Sequence, residues 1–165
     1  MKKIVITFGA VIGLIISTNA VIHMNMMYSN PDYKGNDVTG YATIVIIFSI
    51  IYFGVRNYRN KYLDGKIGFA EALKVGALIC FFASTIYVVI GLSYYYWFAP
   101  DFIDVYADYV LRNSAPSELE AKTAQMDNFR EMYKNPLFAI LITYIEVLPI
   151  GIIVAFISAF ILKKK

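Results

Sequence analysis

Glu146 is the residue whose type and setting first point to chemistry. It lies in the run NPLFAILITYIEVLPIGIIVAFISAFILKKK, which starts at Asn135 and carries no other charge before Lys163. A charged group at mid-bilayer costs roughly 2.5 kcal/mol or more, so such residues usually face protein or water and often have a role. Pro149 follows three positions on, leaves the Ile145 carbonyl without a helical donor and can kink the helix. A carboxylate beside freed backbone oxygens is a pattern for holding a proton or a cation. The plain alternative is a neutral glutamic acid bonded to one polar side chain of a neighbouring helix. Asn19 is the expected partner: counted from Leu137 and from Tyr28, Glu146 and Asn19 each lie nine residues deep, or ~14 Å.

A second grouping is His23-Met24-Asn25-Met26-Met27. Imidazole and thioethers suit copper(I), which makes His23, Met26 and Met27 a weak metal candidate. The methionines do not share one helical face, however, and methionine is ordinary filler in such helices. The expectation is no metal and no cofactor. The chain lacks HExxH, GxSxG, a glycine-rich phosphate loop and paired cysteines, so no enzyme class is indicated. Ser84 or Ser93 could act as a nucleophile, but no histidine lies near either. Cys80 is the single cysteine; it permits no intrachain disulfide and reads as inert packing.

The elements that would position these residues are four apolar runs. The 165 residues are 59% hydrophobic with mean hydropathy +0.58, beyond the ~45–50% apolar share of an ordinary soluble domain. Runs of this length read as transmembrane helices, expected at about 4–28, 38–55, 75–98 and 137–162 in one domain. The first run also resembles a cleaved signal peptide, with Lys2, Lys3, an apolar core and Thr18-Asn19-Ala20 as a small-residue site. Apolarity continues past that site through Met27, which favours a retained helix. Gly9, Gly13 and Ser17 recur every four residues, as do Gly151 and Ala155, and let another helix approach closely. Packing inside the chain's own bundle is favoured over an oligomer seam.

Between these runs lie a turn-rich loop at 30–37, a basic aromatic loop from Arg56 to Lys66, and a polar segment. Interleaved bases and aromatics could suggest nucleic acid, but a loop lying on anionic lipid is the stronger reading. The polar segment, 100–134, has apolar stripes at helical spacing: Phe102, Val105, Tyr106, Tyr109 and Val110, then Leu119, Met126, Phe129 and Tyr133. Ser117 and Glu120 suggest a capping box at the start of its second helix. An outer helical hairpin is expected.

Charge divides by loop. The termini, the middle loop and Lys74 hold ten basic residues against Asp64 and Glu71; the other two loops hold five basic against nine acidic. That alternation is what four passes with both termini in the cytoplasm produce.

The chain resembles the small bacterial membrane proteins grouped as "domain of unknown function 4199". GYATIVIIFSIIYFGVRNYR from Gly40, DGKIGFAEALKVG from Asp64, YYYWFAPDF from Tyr94 and the stretch from Met132 to the last lysine carry the resemblance. It implies a four-pass inner-membrane protein with its first helix retained. It implies no activity, substrate or cofactor. The expectation is an all-α polytopic membrane protein, a partner subunit or homo-oligomer in the bilayer, with no nucleic-acid partner. The alternative is a small oligomeric transporter or proton- or cation-coupled carrier using Glu146.

Overall fold

The computed structural model describes residues 1–30, 33, 35 and 37–164, with no account of the Asp37 side chain. Half of the loop expected at 30–37, and Lys165, therefore lie outside the described residues. Among the described residues seven α-helices form: α1 (Lys2–Ser29), α2 (Asp37–Phe48), α3 (Ile50–Tyr62), α4 (Phe69–Phe98), α5 (Phe102–Arg112), α6 (Leu119–Lys134) and α7 (Pro136–Leu162). Four stretches of the described residues are long and apolar enough to cross a membrane: Lys2–Ser29, Val38–Tyr62, Phe69–Phe98 and Pro136–Leu162. Among the described residues there is no named strand, only one antiparallel bridge between Ile67 and Lys164.

The second span runs to Tyr62, beyond the end expected at residue 55. Arginine and lysine stems can lie along apolar surface with their charges at the boundary, so Arg56, Arg59 and Lys61 extend the helix instead of ending it. The span is interrupted at Ser49. Its hydroxyl donates to the Ile46 carbonyl at 2.6 Å, and its amide is shared between Val45 and Ile46 at 2.9 and 3.2 Å. A side chain that bonds back onto its own helix competes with the regular ladder, which is why α2 and α3 are separate elements. The span then stops where Asp64 (φ 47°) and Gly65 (φ 80°) turn left-handed, a conformation open to glycine. The third span starts at Phe69 instead of Val75; its first turns are part of the helix itself.

α4 is the central helix. It packs along α1 on one side and α7 on the other, and also meets α3. Small residues make this possible. A Cβ on Gly9 would lie 2.8 Å from Phe82, and one on Gly13 would lie 2.7 Å from Ile86 and 2.9 Å from the Ala83 carbonyl. Ser17 continues this face, buried, with its hydroxyl on the Gly13 carbonyl at 2.7 Å. On the other side Gly76 faces Ala155, and Gly151 lies against Cys80 and Phe48. Without a hydrophobic drive between helices in lipid, such close contact is a main source of association.

The tightly packed core lies toward the end that carries most of the basic residues. Phe48, Ile51, Val55, Val75, Ile79 and Cys80 are wholly buried there. Backbone pairing of Ile67 with Lys164, 2.9 Å in both directions, ties the turn after α3 to the end of α7. Arg59 donates to the Leu162 carbonyl at 3.3 Å, closing the same end.

α5 and α6 stand together at the opposite end, joined by a short 3-10 turn, Pro116–Glu118. Ser117 lies inside that turn and makes no capping bond, so the expected capping box does not form. The buried residues of the pair are Ile103, Ala107 and Met126; Leu119, expected in the apolar stripe, is exposed. Tyr106 stacks between Phe102, Tyr109 and Phe129. Arg130 bridges the two helices, reaching Asp104 at 2.7 Å and Asp127 at 2.9 Å. Both contacts hold its guanidinium above its ordinary pKa.

Candidate functional site

Ser84, Thr85, Thr143 and Tyr144 lie along the α4–α7 contact, and helix register decides which of them meet. α4 and α7 run antiparallel. Phe69 meets Phe156, Gly76 meets Ala155, Cys80 meets Gly151, and Tyr144 donates to Thr85 at 2.8 Å. This register puts Glu146 level with Ser84 and Thr143 level with Tyr87. α1 runs parallel to α4: Gly13 faces Ala83 and Ile86, and Tyr94 donates to Asn25 at 3.1 Å. Asn19 is therefore level with Ile90, about six residues or ~9 Å from Glu146 along the bundle.

The expected pairing of Asn19 with Glu146 does not occur. α1 and α7 each pack on α4 and not extensively on each other. Equal depth was counted from helix ends that are not coplanar. Tyr28, near the end of α1, donates to Asp101 beyond the end of α4 at 2.6 Å, whereas α7 begins at Pro136, level with Tyr94 and Tyr95.

Glu146 is exposed at the surface of the single chain. Tyr133 comes from the end of α6, contacts Thr143, and packs edge-on against Tyr95 with ring centroids 5.4 Å apart. Burial pushes the Tyr133 hydroxyl up to about 12, against an opposing influence of the nearby Thr143. Thr143 itself is buried and donates to the Ala139 carbonyl at 2.7 Å. Pro149 lies on the exposed side of α7, three residues beyond Glu146. Ser84 is wholly buried, and its hydroxyl has no partner among the described residues.

Sequence reasoning singled out Glu146 and did not consider Tyr87, Tyr133 or Thr143. The signal was there in part. Thr143 lies three residues before Glu146 on α7, and Ser84 and Tyr87 have the same spacing on α4. Tyr133 carried no such signal, because it read as part of the apolar stripe of an outer helix.

The His23 grouping is laid out differently. His23 is exposed, and its Nδ1 shares a 2.7 Å hydrogen bond with the Tyr33 hydroxyl. Met26 is exposed and Met27 partly so. Among the described residues no cluster of three histidine, cysteine or acidic side chains has metal-holding geometry.

No curated protein and no solved structure matches this chain. A family model does match, over residues 7–164 and so nearly the whole chain. The chain belongs to the family described as "Protein of unknown function (DUF4199)".

Proposed function

We propose that this chain is a non-enzymatic membrane component that acts by presenting α6 to another protein. The observation that supports this is the unequal way α6 is held. It is fixed on one side by Phe129, Arg130 and Tyr133, while Met126 is its one buried residue. Leu119 and Met132 are exposed on it beside alternating charges. A rigid helix that its own chain leaves largely uncovered suits a contact surface, because little ordering entropy remains to be lost on binding.

In this reading the membrane is a bacterial inner membrane, both termini are cytoplasmic and the α5–α6 hairpin is extracytoplasmic. The charge alternation between loops supports that orientation. The partner is a second copy or another membrane protein. A photoreactive side chain at Gln125 or Met132, activated in native membranes, tests the proposal. Discrete protein adducts, whether self or foreign, are expected. Adducts to lipid alone would show that α6 rests on the membrane surface and contacts no partner.

A further inference from the structure

Ten of the chain's lysines and arginines belong to its basic end. Lys165 lies outside the described residues, and none of the other nine makes an ion pair among them. At the opposite end Arg130 and Lys134 both do. The basic end has two carboxylates, Asp64 and Glu71. Glu71 accepts from the Tyr58 hydroxyl at 3.3 Å, and Asp64 is exposed in the left-handed turn after α3. Neither takes part in an ion pair among the described residues.

The fold gathers four of these cations from separate elements. Arg59 on α3 donates through Nη1 to the carbonyl of Leu162, the residue before Lys163, at 3.3 Å. The antiparallel bridge between Ile67 and Lys164 holds the chain after α7 against the turn that carries Lys66. Residues past a helix end are usually loose; these are tied by two backbone bonds of 2.9 Å. Capping of α7 does not account for the gathering. The Leu162 carbonyl takes Arg59, and the Lys66 and Lys164 ammonium groups bond nothing among the described residues. Like charges held together without counter-ions repel. An anion among them turns that repulsion into attraction.

Next to these cations α7 is apolar and uncovered. Phe156, Phe160 and Ile161 are exposed, and Phe156, Phe160 and Lys163 recur at helical spacing along one face. The Lys163 ammonium lies 4.0 Å from the centre of the Phe160 ring, where the apolar face and the cations join. Phe69 packs edge-on against Phe156 with ring centroids 5.3 Å apart, which firms the face from the α4 side. A free phosphate would use the cations alone. The whole surface suits a molecule with an anionic head and a hydrocarbon tail.

We propose that Arg59, Lys66, Lys163 and Lys164 form a site for the phosphate of an anionic phospholipid whose acyl chain lies along Phe156, Phe160 and Ile161. Arg59 offers N–H groups in a fixed plane suited to phosphate oxygens, and the lysines act as movable point charges. Basic pockets at the ends of spanning helices are a recurrent setting for such headgroups. This inference rests on the spans lying in a bilayer. It is independent of which side the basic end faces and of any partner for α6.

The test is photolabelling of the full chain in phosphatidylcholine vesicles that hold a small share of phosphatidylglycerol with a photoreactive acyl chain. Adducts are expected on the 156–161 face of α7, displaced by unlabelled phosphatidylglycerol and not by more phosphatidylcholine. Lys66→Gln and Lys164→Gln leave the backbone bridge in place, and both side chains are exposed. Each should lower capture by about fivefold, the worth of one base near an anionic headgroup. Lys61→Gln should leave capture unchanged, because two residues on from Arg59 it points to the other side of α3. An equal loss in Lys61→Gln would show diffuse attraction and overturn the site. Equal capture of a photoreactive phosphatidylcholine would overturn it too, as would displacement by soluble glycerol phosphate, which would mark a site for free phosphate. No adduct on any span with either lipid would overturn the bilayer placement and the site with it.

Discussion

Gly151 on α7 lies directly against the thiol of Cys80 on α4, and the Phe48 ring closes the third side. There is no room for a further carbon. Gly151→Ala is expected to destabilise the fold by about 1–3 kcal/mol, the usual cost of overpacking a close-packed site. Cys80→Ala should recover part of the loss but not all of it, because a Cβ at Gly151 would still lie 2.8 Å from Phe48. Unfolding in mixed micelles of the two single variants and the double variant measures the coupling. Additive effects would show that the two residues do not compete for the same space.

The charge pattern makes a separate prediction about sidedness. With Cys80 buried, added cysteines report cleanly. A cysteine at Ser114 should react with an impermeant thiol reagent from outside intact cells, and one at Asn60 should not. Labelling at Asn60 would reverse the orientation or change the number of passes.

Arg130 on α6 makes an ion pair with Asp104 on α5, on an exposed surface where ion pairs are weak and salt-sensitive. Arg130→Gln should raise amide exchange in both helices, most at their exposed faces, with Ile103, Ala107 and Met126 staying the slowest. Uniformly fast exchange already in the parent chain would mean that aromatic stacking around Tyr106 does not hold the pair together.

The number of spans was legible because apolar length and loop charge are one-dimensional properties. Gly9, Gly13 and Ser17 were legible as a packing face because their four-residue spacing survives any arrangement of helices. What the sequence could not carry was relative height. The central place of α4 and the offset between Asn19 and Glu146 both depend on how far each helix projects past its neighbours. The extension of the second span through Arg56 and Lys61 was hidden for another reason: in a hydropathy reading their charge outweighs the apolar stems that let them continue a helix.

That offset can be tested by proximity. In a Cys80→Ala background, cysteines at Gly76 and Ala155 should cross-link readily, since a Cβ at Gly76 would lie 3.0 Å from the Ala155 Cβ. Cysteines at Asn19 and Glu146 should not, with about 9 Å of axial offset between them. Efficient cross-linking of the second pair would restore the equal-depth arrangement.

The last prediction concerns the stability of the Glu146 site itself. If Glu146 were bonded to another side chain, replacing it with leucine would strand that partner and cost about 1–3 kcal/mol. In the structure no such bond exists among the described residues, and Ile145 and Ile153 are exposed on either side of it along α7. Leucine is favourable in a bilayer where a carboxylate is not. Glu146→Leu should therefore leave stability unchanged or raise it, Glu146→Gln should fold normally, and Glu146→Lys should insert poorly, because it puts a cation within the span with no counter-ion. Reversible unfolding of all three in the same micelles separates these cases. A loss of more than about 1 kcal/mol in Glu146→Leu, with Glu146→Gln unchanged, would reveal a hydrogen-bonding partner that the chain does not itself provide, and would place that partner beside Glu146 on α7.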